Sequence, residues 1–289
     1  MGLRLPWSWR LGPSNSSERA HVMEMLQDEE FPENTLFCGD AGFVGYEFWK
    51  AIIEAGGDLL VRVGGNVNLL SEAADVKRIG QGIVLCWPKG KMESGAEPLR
   101  LRLVKVKVGK TMMWMLTSVL DRKSLPNKMI IKYYKMRWGV EVEYRGLKQT
   151  IDKRHLRCHN SDRAYAELDW SLRAMAIAEL IALREQIPKD DKATEESACE
   201  YTPQLRSLAN TMRVLRKGMR NLDKSADSSE DLLAELSRAM VQEYENGTNK
   251  KARYRPNNPD KKPLGEPKVR KMTREELEKL RQIQDDIAA

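Results

Sequence analysis

Apolar residues recur at helical spacing in some stretches of the chain and crowd into short blocks in others, and this change of period predicts its elements. Residues 14–30 open on Ser and Asn cap candidates and then place Val22, Met25 and Leu26 at helical spacing, which predicts a helix. Residues 35–38 form a short apolar block after Pro32 that runs into Gly39 and Asp40. That pattern reads as a buried strand delivering an acid at its C-terminal edge. Over residues 46–55, Phe48, Trp49, Ile52 and Ile53 share one helical face, and Gly56-Gly57 stops the helix. A second strand is predicted over residues 58–63, completing a strand-helix-strand unit of the α/β kind.

From Gly64 to Asp121 the pattern becomes short β-like segments broken by glycine, which predicts an antiparallel sheet inserted at 64–124. Leu99, Leu101 and Leu103 alternate with Arg100 and Arg102, the pattern of a half-exposed strand with one basic face. Helical periodicity returns over 125–151, where Met129, Tyr133, Met136, Val140, Leu147 and Ile151 make a core-facing stripe. A second helix over 162–186 has so many apolar and Ala positions that packing on several sides is expected. Beyond Pro188 the chain turns polar, with amphipathic stretches around 205–219 and 229–244, a basic proline-rich tail and a charged final helix. The segmentation is therefore 1–63, 64–124, 125–187 and a helical, basic, partly disordered extension over 188–289, with no internal repeat.

Composition narrows the class. At 289 residues the chain can bury a sizeable core, and 41% hydrophobic with 31% charged residues is a globular balance. No run approaches the ~20 apolar residues a membrane helix needs, and the N-terminus lacks the apolar segment of a signal peptide, so a cytoplasmic location is expected and no membrane partner. Cys38, Cys86, Cys158 and Cys199 have no CxxC spacing, which argues for reduced thiols rather than a zinc site or a disulfide framework. His21, His155 and His159 lack metal-ligand spacing and read as structural or surface residues. The net charge of +7 suits a polyanionic partner without identifying one.

The chemistry concentrates in residues 134–148. On a straight helix Tyr134, Arg137, Glu141, Arg145 and Lys148 project within an arc of roughly 80°. A carboxylate among arginines, a lysine and a phenol suits a metal ion beside phosphates. The same spacings also describe a solvated face with weak ion pairs, so the stripe alone does not decide.

The spacing Tyr-x2-Arg-x3-Glu-x6-Lys of Tyr134, Arg137, Glu141 and Lys148 resembles the signature of the insertion-sequence-four family of bacterial DDE transposases. The phrase GDAGFVGYEFWKAI, with Asp40 after an apolar strand, is similar to that family's second acidic motif, and a β-rich insertion between the two acids fits the same pattern. The resemblance runs from about Leu5 to about Leu183. It implies an α/β fold with a ribonuclease-H-like core, incomplete at the N-terminus, a β-rich insertion and a helical C-terminal extension. It implies that Asp40 and Glu141 are catalytic and ligate Mg²⁺ or Mn²⁺, and that Tyr134, Arg137 and Lys148 bind the DNA backbone. Arg145 lies outside the signature; phosphate contact and plain solvation are both open to it. For Trp114, stacking on an unpaired base and core packing are both open, and core packing is the expectation. For Asp40 the plain alternative is a cap on the following turn.

The family uses three acids, the first on the opening strand of the core. Before Asp40 this chain offers Glu18, Glu24, Asp28, Glu29, Glu30 and Glu33, none of which ends an apolar strand. The expectation is an N-terminally truncated transposase fragment, inactive in DNA cleavage by itself. The competing expectation is a non-catalytic DNA-binding or dimerising remnant that pairs with itself or with a full-length transposase.

Overall fold

A computed structural model describes residues 5–63, 75–92, 96–108, 111–187, 206–221, 228–240 and 269–288. The chain is mixed α/β and forms two compact units, one of residues 12–137 and 254–289, the other of residues 1–11 and 138–253. No helix among the described residues is long and apolar enough to cross a membrane.

Among its described residues the first unit is built on a seven-stranded sheet. Its elements are α1 (Glu18–Asp28), β1 (Leu36–Gly39), α2 (Tyr46–Glu54), β2 (Asp58–Val63), β3 (Asp75–Gly80), β4 (Ile83–Trp87), β5 (Leu99–Val108), β6 (Thr111–Thr117), α3 (Asn127–Met136), and, far along the chain, β7 (Arg270–Lys271). The helix Arg274–Ala288 follows β7. The strand order is β1-β2-β6-β5-β4-β3-β7. β1 and β2 pair in parallel, β2 through β3 pair antiparallel along that order, and β7 adds to β3 in parallel.

The sheet is covered on both faces, which explains why β2 reads as a nearly continuous apolar run. Leu59, Val61 and Val63 of β2 face α2, where Phe48, Trp49 and Ile52 are buried, and α1 adds Val22, Met23 and Leu26. Leu60 points to the opposite face and packs with Ile130, Tyr133 and Tyr134 of α3. Farther along that face, Leu85 and Trp87 meet Met272, Leu277 and Leu280. Helix α2 ends as its glycines predict: Gly56 takes φ +77°, Gly56 N–H donates to the Ile53 carbonyl and Gly57 N–H to the Ile52 carbonyl, both at 3.0 Å. This left-handed cap delivers the chain directly into β2.

Two expectations for this unit change. Arg102 does not join an exposed basic face; it is 2% exposed, and its Nη2 donates to the Leu125 carbonyl at 2.7 Å. Arg100 of the same strand stays exposed, whereas Arg102 lies where Leu125 covers the sheet, and the Leu125 carbonyl takes one of its N–H groups. The helix expected over 125–151 is also divided. Arg137 N–H bonds the Tyr134 carbonyl three residues back, and α3 gives way to α4 (Trp138–Arg145) and then to a π-helical turn (Gly146–Thr150). Val140, expected in the core stripe, is 55% exposed.

The second unit is helical among its described residues: α4, the π turn, α5 (Ser161–Gln186), α6 (Leu208–Asn221) and α7 (Ser228–Ser237). Leu147, Met175 and Leu208 form its buried cluster, with Leu168, Leu172 and Met212 around it. Gly146 makes this possible, since a Cβ there would stand 2.4 Å from Leu208 Cδ2. Glu167 of α5 clasps the loop after the π turn: Lys153 Nζ donates to it at 2.6 Å and Arg157 N–H at 3.0 Å. Trp9 Nε1 donates to Asp169 Oδ1 at 2.9 Å, fixing the N-terminal segment to α5. Helix α5, expected to pack on several sides, buries Met175, Ala178, Ala182 and Leu183 and leaves Trp170 71% and Ile177 56% exposed. The expected disorder within 188–289 falls, for residues 188–205, 222–227 and 241–268, outside the described residues.

Candidate metal and DNA-binding site

Asp40 follows the last residue of β1, where the parallel pair β1 and β2 ends. Its Oδ1 accepts from Gly42 N–H at 2.8 Å and so caps the short 3-10 turn Ala41–Phe43. The capping role considered for it is therefore present. It occupies one oxygen of a carboxylate that has about four acceptor sites, so it does not preclude a second role. Gly39 fixes the approach: a Cβ there would lie 2.8 Å from Phe43 Cβ and 3.1 Å from Val61 Cγ1.

Helix α3 lies across this strand. Tyr134 packs in the same apolar cluster as Leu36 and Cys38 of β1, and the Arg137 guanidinium sits over the Tyr134 ring, 5.7 Å from its centroid. Burial pushes the Cys38 thiol up to about 11, and the nearby Arg137 charge pulls it partly back. That coupling places the Arg137 charge near β1, two residues before Asp40. Of the six residues singled out from sequence, Asp40, Tyr134 and Arg137 thus belong to the sheet unit.

Glu141, Arg145 and Lys148 belong to the helical unit. Glu141 lies in the first turn of α4 and Arg145 in its last. Lys148 rides on the π turn, with its ammonium 5.9 Å from the centroid of the Tyr144 ring. The break at Arg137 and the π turn both depart from 100° per residue, so the five-residue stripe of a straight helix does not apply as drawn.

The donor type suits a hard divalent cation, because carboxylate oxygens are what Mg²⁺ and Mn²⁺ prefer. The number is short. Among the described residues no three His, Cys, Asp or Glu side chains gather where they could hold a metal ion. Trp114 is half-buried against the sheet core with the Lys105 ammonium 5.5 Å from its ring centroid, a packed residue as expected. His21 meets Ser16 Oγ at 2.8 Å, and His155 and His159 are exposed. Among the described residues Cys38, Cys86 and Cys158 are free thiols; Cys199, grouped with them from sequence, lies outside the described residues.

The family model described as the transposase DDE domain matches residues 4–177, more than half of the chain. The chain belongs to the DDE transposase domain family. Its matched span contains all six singled-out residues, from Asp40 through Lys148. No curated protein and no solved structure matches this transposase-family chain. Sequence reasoning did not find Gly39, whose buried position beside Asp40 has no signal beyond the GD dipeptide.

Proposed function

We propose that this chain is a DNA transposase of the insertion-sequence-four kind, acting in metal-dependent strand cleavage and transfer through a ribonuclease-H-like core to which β1 and β2 belong. The observation that carries this reading is the transposase DDE match over residues 4–177, which spans Asp40 and the Tyr134, Arg137, Glu141, Lys148 spacing. In this reading Asp40 and Glu141 hold Mg²⁺ or Mn²⁺. When bound, a pair of such ions activates an attacking water or 3′-hydroxyl and stabilises the leaving oxygen. Tyr134, Arg137, Arg145 and Lys148 grip the DNA backbone, fixing its register without reading sequence. The partners are transposon ends and target DNA, with a second copy or a longer transposase, in a bacterial cytoplasm.

A second reading has its own support. Because no third ligand joins Asp40 or Glu141 among the described residues, the chain fits a DNA-binding remnant that does not cut. We take residues 1–289 alone to be inactive in cleavage.

The test is Mn²⁺ binding followed by electron paramagnetic resonance, alongside cleavage of a DNA duplex. Asp40→Asn and Glu141→Gln are each expected to weaken Mn²⁺ binding by about tenfold or more. Parent-like binding by both variants would overturn the metal assignment. Metal-dependent cleavage by residues 1–289 that Glu141→Gln abolishes would overturn the inactivity.

A further inference from the structure

Helix α6 carries a cationic face outside every residue assigned above. Arg213, Arg216, Lys217 and Arg220 stand at i, i+3, i+4 and i+7, the spacing that puts four side chains on one side of a helix. Together with Gln149 and Thr150 they line an open groove in the helical unit. These two residues directly follow Lys148 on the π turn, and Arg216 Nη2 donates to the Thr150 carbonyl at 3.1 Å, locking α6 against that turn.

The opposite side of α6 is committed along most of its length, with Met219 near its end 71% exposed. Leu208 is buried against Gly146 and Met175, Met212 packs beside it, and Gly218 approaches Leu232 of α7 so closely that a Cβ would stand 2.8 Å from Leu232 Cδ1. An amphipathic helix that used its apolar side to enter a lipid surface would need that side free. The cationic face is the side left to solvent: Arg213, Arg216, Lys217 and Arg220 are all exposed. Three acceptors touch it, the Thr150 carbonyl on Arg216, Asn210 Oδ1 on Arg213 and Glu235 on Lys217. All three contacts are at the surface, where such pairings are weak and exchange readily for a phosphate.

We propose that this face of α6 is a phosphate-binding track for duplex DNA, continuing from Lys148. Seven helical residues rise about 10 Å, and each DNA strand presents one phosphate per 3.4 Å of duplex axis, so a track lying along that axis matches roughly three successive phosphates. A row of cations that contacts phosphates rather than base edges tolerates any base sequence and responds strongly to salt. The proposal rests on the transposase reading only for the identity of the polyanion.

The test is fluorescence anisotropy of the full chain with a labelled duplex of arbitrary sequence, over 50–200 mM salt. Neutralising all four cations (Arg213→Gln, Arg216→Gln, Lys217→Gln, Arg220→Gln) is expected to flatten the slope of log affinity against log salt by about 2.7, for three phosphates lost. The affinity lost across that salt range then shrinks by roughly 40-fold. Replacing the three arginines with lysine keeps the charge and is expected to keep the slope. If the quadruple variant misfolds by circular dichroism, Arg220→Gln alone is expected to lower the slope by about 0.9. An unchanged slope overturns the proposal. So does an equal loss when Lys91, Arg100, Lys107 and Lys123 of the sheet unit are changed to Gln, because net charge would then explain the binding. A chain that ignores duplex but binds anionic phosphatidylserine vesicles through these residues also overturns it. Asp40→Asn and Glu141→Gln are expected to retain the slope contributed by α6, so failure of the metal reading is separable from failure of this one.

Discussion

Gly39→Ala tests whether the backbone before Asp40 is as tightly placed as its surroundings imply. The new Cβ would stand 2.8 Å from Phe43 Cβ, against 3.4 Å for the near limit of ordinary contact, so something must move by at least 0.6 Å. Neither neighbour yields easily. Phe43 Cβ is fixed to the 3-10 turn that Asp40 itself caps, and Val61, 3.1 Å away on the other side, is 1% exposed in the sheet core. Overpacking of this kind costs about 1–3 kcal/mol. For a domain of this size each kcal/mol lowers the melting temperature by roughly 2–4 °C. The assay is calorimetric melting of the full chain, with Gly42→Ala as comparison, since a Cβ there meets only Asp40 Oδ1 at 3.1 Å. Because the turn must shift, Gly39→Ala should also weaken Mn²⁺ binding by about tenfold, comparable to disturbing a residue that orients a ligand. Melting within about 1 °C of the parent, together with unchanged Mn²⁺ binding, would refute the reasoning.

Alkylation of Cys38 should be slow at neutral pH and accelerate only as pH approaches its thiol value of about 11, and Arg137→Ala should slow it further by removing the charge that opposes burial; mass spectrometry of iodoacetamide labelling against pH checks both. Glu167, held down to about 2 chiefly by the Lys153 hydrogen bond, contributes stability that is complete above its ordinary value of 4.5 and is lost as pH falls from there towards 2. Glu167→Gln should therefore flatten the fall of melting temperature across that window, and an unchanged pH profile would count against the clasp. Trp9→Phe keeps an aromatic ring but loses the indole donor to Asp169, and limited proteolysis should then cut the N-terminal segment several-fold faster.

Elements whose local pattern and tertiary role agree were legible from sequence. The apolar block at 35–38, the α2 face of Phe48, Trp49 and Ile52, and the double-glycine stop all follow from period and turn chemistry, and Asp40 could be placed at a strand end for that reason. Arg102 was misleading because alternation reports which side chains share a face, not whether that face is later covered. The helix over 125–151 was misleading for a related reason. Its π turn begins at Gly146, which packs against Leu208 some sixty residues away, a contact that no window of sequence contains. Trp170 and Ile177 show that apolar content alone does not imply a covered helix. The cationic face of α6 was readable in the i, i+3, i+4, i+7 spacing of Arg213, Arg216, Lys217 and Arg220; what the sequence lacked was the turn beside Lys148 on which it rests.

The outer edge of β3 has a consequence for synthesis of the chain. Lys77 and Arg78 pair with Arg270 and Lys271, and the Lys77 ammonium meets Glu276, so the strand waits for a partner made 193 residues later. At ordinary translation rates that interval is roughly 10–40 s. Throughout it a growing chain presents β3 with one row of amide and carbonyl groups unpaired, and Leu85 and Trp87 without the cover of Met272. A ribosome that stalls inside the basic tail would therefore release or hold a product with a sticky strand edge. Sequestration by chaperones, or slower aggregation when the nascent chain is crowded on polysomes, belongs to that interval rather than to the finished protein.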